Sequence, residues 1–99
     1  MARRAARYAG LVGPRAHLVL AGMELERGEA EDAARRFKMM IDAQYEVQTA
    51  SLGLARSFAA MDRRDDAIEQ LELILGASPN GENAETAQAL LDQLKNEGA

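Results

Sequence analysis

The stretch RGEAEDAARRF, Arg27 to Phe37, decides the architecture. Gly28 supplies a turn. Glu29, Glu31 and Asp32 then stand at the start of a helix, where the helix dipole favours anions. Ala33, Ala34, Phe37, Met40 and Ile41 follow at three- and four-residue spacing, the stripe of an amphipathic helix. The stretch recurs 34 residues later as MDRRDDAIEQL, Met61 to Leu71, with Asp66 for Asp32, Ala67 for Ala33 and Leu71 for Phe37.

The same offset holds on both sides. Upstream, Ala16, Leu18, Leu20 and Ala21 fall on Ala50, Leu52, Leu54 and Ala55. Downstream, Met40, Ile41 and Ala43 fall on Ile74, Leu75 and Ala77. One offset without gaps over most of the chain indicates an internal repeat of two helices. The first unit predicts helices over about Arg15–Arg27 and Glu31–Gln44, and the second over about Thr49–Ala60 and Asp65–Gly76. The run Ser78-Pro79-Asn80-Gly81 ends the second unit. A last segment brings Ala84, Ala87, Leu90, Leu91 and Leu94 onto one stripe with no second helix after it. It reads as a lone helix that caps the last repeat, as stacked arrays require. A helical bundle with Ala-rich seams is the competing architecture, but it does not require a fixed offset.

A 34-residue helix–turn–helix unit resembles the tetratricopeptide repeat, whose pattern is W-x2-L-G-x2-Y, then A-x3-F, then P. The second unit offers Ser51-x2-Leu54-Ala55-x2-Phe58, Ala67-x3-Leu71 and Pro79; the first offers His17-x2-Leu20-Ala21-x2-Glu24 and Ala33-x3-Phe37. The departures are His17 and Ser51 for the opening aromatic, Glu24 for the second aromatic and Tyr45 for the proline. Glu24 is expected to weaken the core of the first unit. The ending Ser78–Leu94 is similar to terminal helices of bacterial repeat proteins. The resemblance implies an all-α superhelix of stacked antiparallel helix pairs. Its parts are an N-terminal helix or repeat remnant over 1–13, repeats over 14–47 and 48–81, and a capping helix with tail over 82–99. Pro14 opens a helix at a position proline tolerates.

The resemblance also implies a concave groove lined by the first helix of each pair. There it places Arg15, Leu18, Gly22 and Leu25 of the first unit and Thr49, Leu52, Arg56 and Ala59 of the second, with Leu90 and Gln93 extending the floor. Gly22 leaves room for a ligand side chain, or serves only close helix contact. Arg56 grips a carboxylate or carbonyl, or is merely solvated. Leu18 and Leu52 face the groove or pack on the neighbouring helix. Some family members clamp a C-terminal carboxylate of chaperones with lysine and asparagine. The matching Leu18, Gly22 and Arg56 lack that pattern, so a chaperone-tail adaptor is not implied. The expected ligand is a peptide or helix of a partner protein, amphipathic or acidic in character.

Other chemistries find little support. Catalysis needs a convergent acid, base or nucleophile. The single histidine, His17, has no carboxylate four residues away to orient it, and cysteine is absent. Asp62–Asp66 lacks the spacing and glycine of a calcium loop. Gly10 and Gly13 do not make a phosphate loop. No metal, cofactor or enzymatic activity is expected. No apolar run approaches a membrane span. The methionines Met23, Met39, Met40 and Met61 are expected in the core, with an adaptable binding surface as the alternative.

Charge is uneven. Only Arg3, Arg4, Arg7 and Arg15 precede Glu24, for +4, and the remainder carries 8 basic and 16 acidic residues, for −8. The basic arm reads as a solvated helix end, a targeting segment or a contact for acidic groups. The acidic body argues against nucleic acid. Two and a half units fall short of the three or so that repeat stacks usually need. Low stability, a larger parent protein or self-association through open repeat ends is therefore expected. A structural assembly piece is the alternative to a peptide-binding scaffold. A third reading puts an enzymatic or nucleic-acid-binding part elsewhere in a longer parent.

Overall fold

The computed structural model describes residues 14–98, and the expected N-terminal helix or remnant over 1–13 lies outside them. The described residues form five α-helices and no strand: α1 (Pro14–Glu26), α2 (Ala30–Asp42), α3 (Val47–Ala60), α4 (Arg64–Ala77) and α5 (Ala84–Gly98). Every helix expected within the described residues is present, with ends displaced by no more than a few residues. Pro14 is the first helical residue of α1, where its missing N–H leaves no bond unmade. Each helix packs on the next, and α1 also touches α3. The Cα radius of gyration is 13.9 Å. A spherical domain of this length would give about 12–13 Å, so the helices are stacked along one axis; the extents are 45 × 26 × 17 Å.

The 34-residue offset survives in three dimensions. Ala21 and its equivalent Ala55 are fully buried, as are Ala33 and Ala67. Phe37 and Leu71, and Met40 and Ile74, occupy equivalent core positions. Alanine at the four seam positions lets helix axes approach closely, so the larger side chains fill the space between them.

The turns repeat bond for bond. Glu29 N–H donates to Glu24 O at 2.8 Å and Gly28 N–H to Leu25 O at 3.2 Å. Thirty-four residues on, Arg63 N–H donates to Phe58 O at 2.8 Å and Asp62 N–H to Ala59 O at 3.1 Å. A six-to-one bond closing over a left-handed residue is a Schellman stop. Gly28 holds φ +82° and Asp62 holds φ +61° at that residue. Glycine takes such a conformation freely, and aspartate is among the few others that tolerate it. A related stop ends α2, where Tyr45 N–H donates to Met40 O at 2.9 Å across Gln44 at φ +56°.

One close contact sets the distance between the units. The tip of the Phe37 ring on α2 occupies the place where Gly53 of α3 would carry a Cβ, with Cε1 and Cζ 2.3 Å from that point. Glycine in mid-helix costs about 1 kcal/mol relative to alanine, and here it admits an aromatic ring. The C-terminal helix buries Ala84, Ala87, Leu91 and Leu94 against α4. Its outer side carries Glu85, Gln88 and Asp92, all exposed. Ser51 and Leu54 become Glu85 and Gln88 at the same repeat positions, so this side of α5 is polar.

Candidate functional site

The expected groove residues lie on two helices that touch, α1 and α3. Spacing of three or four residues puts each set of four on one side of its helix. On α1, Arg15 and Gly22 are exposed, while Leu18 and Leu25 are half-buried against the core. A Cβ at Gly22 would meet nothing within 4 Å. This glycine serves no helix contact among the described residues, and the space beside it is open. On α3, Arg56 is exposed and is the only exposed residue from Thr49 to Ala59.

Leu52 is different. It is buried in the core at 7 % exposure, so its role is packing and it offers little to a ligand. Ala59 is half-buried against the same core. Thr49 is half-buried, and its hydroxyl donates to Glu46 Oε2 at 3.4 Å. The surface that remains accessible consists of Arg15 and Gly22 on one helix and Arg56 on the other, flanked by partly covered apolar side chains. Gly22 and Arg56 are the same position of the repeat, so an open gap and a guanidinium stand in register on adjacent first helices. On the C-terminal helix, Leu90 is half-buried and Gln93 is exposed, with its amide donating to Glu97.

A second feature lies away from those residues. A cleft of about 520 Å³ runs between α2 and α4 over the N-terminal half of α3. Ile41, Val47, Leu54, Leu73 and Ile74 line it, with Lys38 and Asp42 at its edge. None of the expected groove residues takes part. Leu73 is 60 % exposed, and apolar second-helix positions outside the main stripe were the signal for it in the sequence.

Sequence reasoning also missed a polar cluster between α1 and α2. Arg36 Nε donates to Glu24 Oε1 at 2.7 Å, and Arg36 Nη1 lies 3.1 Å from Nδ1 of His17. A guanidinium can only donate, so Nδ1 accepts and the ring proton of a neutral His17 sits on Nε2. The side chains of Arg36 and Glu24 are 27 % and 16 % exposed. His17 is thus oriented by a base on the next helix and, through it, by a carboxylate seven residues along its own. Seven residues is two helical turns, a spacing that returns to the same face.

The methionines divide. Met40 is 1 % exposed and Met61 packs partly against the core, whereas Met23 and Met39 are 41 % and 51 % exposed. The expectation of core packing fails for those two. The turn from Asp62 to Asp66 is held by Arg63, which pairs with Asp66 at 2.8 Å and lies 4.6 Å from the Phe58 ring centroid. Among the described residues, no group of three His, Asp or Glu is placed to hold a metal ion, and no helix is long and apolar enough to cross a membrane.

The chain matches no protein-family model, no curated protein and no solved structure. Its functional reading therefore rests on its own geometry.

Proposed function

We propose that the chain is a tetratricopeptide-type scaffold, not a catalyst, and that it binds a peptide or helix of a partner protein along α1 and α3. The observation that carries this reading is the 34-residue recurrence of turn bonds and buried positions, together with the exposure of Arg15 and Gly22 on α1 and of Arg56 on α3. A stack of this kind presents its first helices on one side, as an extended surface. Arg56 supplies a charged donor fork for a carboxylate or a backbone carbonyl. The open space beside Gly22 accepts a side chain of the ligand. Arg15 adds a second positive charge on the same side in a body that is otherwise acidic, which favours an acidic segment.

The test is affinity capture from lysate with the wild-type chain, Arg56→Glu and a control, Glu69→Lys on α4, run side by side. Arg56 and Glu69 are both exposed, so neither change disturbs the core, and circular dichroism checks that all three fold alike. Leu52 is unsuitable, because a charge there would unfold the chain. The expected result is a small set of proteins retained by the wild type and by Glu69→Lys and lost with Arg56→Glu. Retention of the same set by all three removes the groove reading.

A further inference from the structure

The exposed residues of α1 after Pro14 are Arg15, Val19, Gly22, Met23 and Glu26. At 100° per residue they fall within one arc of about 100°, so they form a single stripe. Val19 is 58 % exposed and Met23 41 %. Their repeat equivalents on α3 are Gly53 and Ser57, both buried, and Gly53 lies under the Phe37 ring of the preceding helix. The position that is covered in the second unit is thus, among the described residues, an uncovered apolar face in the first. The opposite end of the stack is not apolar: α5 turns Glu85, Gln88 and Asp92 outward.

The order of residues along this stripe is self-complementary. Laid antiparallel on a copy of itself about a two-fold axis, α1 sets Arg15 against Glu26 of the second copy, Val19 against Gly22, and Met23 against Leu18, which is half-buried at the edge of the stripe. One register satisfies all three pairs. Neither Arg15 nor Glu26 makes an ion pair with another described residue. Gly22 is a mid-helix glycine with nothing beside it among the described residues. Glycine weakens a helix and is retained where a backbone or side chain approaches closely. Val19 of a second copy is such an approach.

We infer that the exposed face of α1 is a homodimer interface in which two α1 helices pair antiparallel, with Arg15–Glu26 ion pairs at both ends and Val19 seated on Gly22. This is an isologous contact, in which each residue pair occurs twice and the assembly closes at two. A single helix pair buries less than the roughly 1,200 Å² of a stable complex, so the dimer is weak and forms at high protein concentration. The inference does not depend on the peptide-groove reading. The two surfaces share Arg15 and Gly22, so dimerisation and partner binding compete.

Sedimentation velocity on the full chain between about 10 µM and 1 mM, the range expected for so small an interface, tests it. The wild type should pass from monomer to dimer and stop there. Glu26→Arg sets like charges together at both ends and should weaken the dimer about tenfold or more; adding Arg15→Glu should restore it. Gly22→Ala should raise the melting temperature of the monomer while weakening the dimer, a combination that a merely structural glycine does not produce. Arg56→Glu, which removes the proposed groove, should leave the dimer intact. A monomer at every concentration overturns the inference. So does a dimer indifferent to Glu26→Arg, or growth beyond two copies, which would signal head-to-tail stacking through the repeat ends.

Discussion

The two helix pairs share a backbone and differ in what holds them closed. In α3–α4 the position that seals the pair is Phe58, buried at 6 % exposure, with Arg63 and Lys38 over its ring at 4.6 and 5.7 Å. In α1–α2 the same position is Glu24, held by Arg36, which also reaches His17. The turn bonds, the alanine seams and the core positions are otherwise equivalent. One location in the repeat therefore accepts an aromatic packed by burial or a carboxylate satisfied by a guanidinium. The polar version works because it is only partly withdrawn from water, so the charged groups need not forfeit their full hydration.

The sharpest way to break the equivalence is at its largest shared element. Phe37 fills the junction between the pairs, and its ring tip rests on Gly53. Phe37→Ala is expected to cost about 3–5 kcal/mol, the usual range for deleting a buried aromatic. Leu71→Ala, at the same repeat position but against the terminal helix, is expected to cost about 2–5 kcal/mol. Chemical denaturation of both variants checks the order. A Phe37→Ala chain as stable as the wild type would mean that the junction carries no load and that the pairs fold separately.

That junction also shows what the sequence could reveal. The offset of 34 and the apolar spacing led to all five described helices and most of the core, because helix faces follow from periodicity and the small residues of the seams recur in register. Gly53 gave no signal, since its partner Phe37 is 16 residues away on another helix. Glu24 looked like a weakness because a single residue does not announce its counter-ion. Arg36 reaches it only once the turn at Gly28 folds α2 back on α1. Leu52 belonged to the expected groove by register, yet α3 is packed on both sides by its neighbours and turns little besides Arg56 to solvent. The exposure of Met23 was hidden for a complementary reason: periodicity says which residues share a face, not whether a neighbour covers it.

The polar and apolar seals can be exchanged. Glu24→Ala leaves Arg36 half-buried with His17 as its remaining partner. A charge-assisted hydrogen bond of this kind contributes about 1–2 kcal/mol once its partial exposure is discounted. The loss should appear in the melting temperature and as faster amide exchange in α1 than in α3 and α4. The triple change His17→Ser, Arg36→Gln and Glu24→Phe copies the second unit's residues into the first. It should recover at least what Glu24→Ala loses, and the salt dependence of stability attached to the ion pair should vanish. If the triple variant is less stable than Glu24→Ala, the two seals are not interchangeable, and the polar one has been fitted to features of α1 beyond these three positions.

The smallest difference between the units lies in the turn. Gly28 and Asp62 adopt the same left-handed conformation and close the same hydrogen bonds, but aspartate bears a Cβ penalty that glycine does not. Asp62 is exposed and makes no ion pair with another described residue, so nothing evident in the fold compensates. Asp62→Gly should therefore stabilise the chain, by about 0.5–1 kcal/mol after allowing for the greater freedom of glycine in the unfolded state. The reverse exchange, Gly28→Asp, should cost a similar amount, and equal and opposite shifts in denaturation midpoint would show that the two turns are one device. A neutral or destabilising Asp62→Gly would instead mean that the aspartate contributes through the neighbouring Arg63 and Arg64. In that case the second turn would be tied to the charge pattern around Phe58, and the first would be tied to backbone geometry alone.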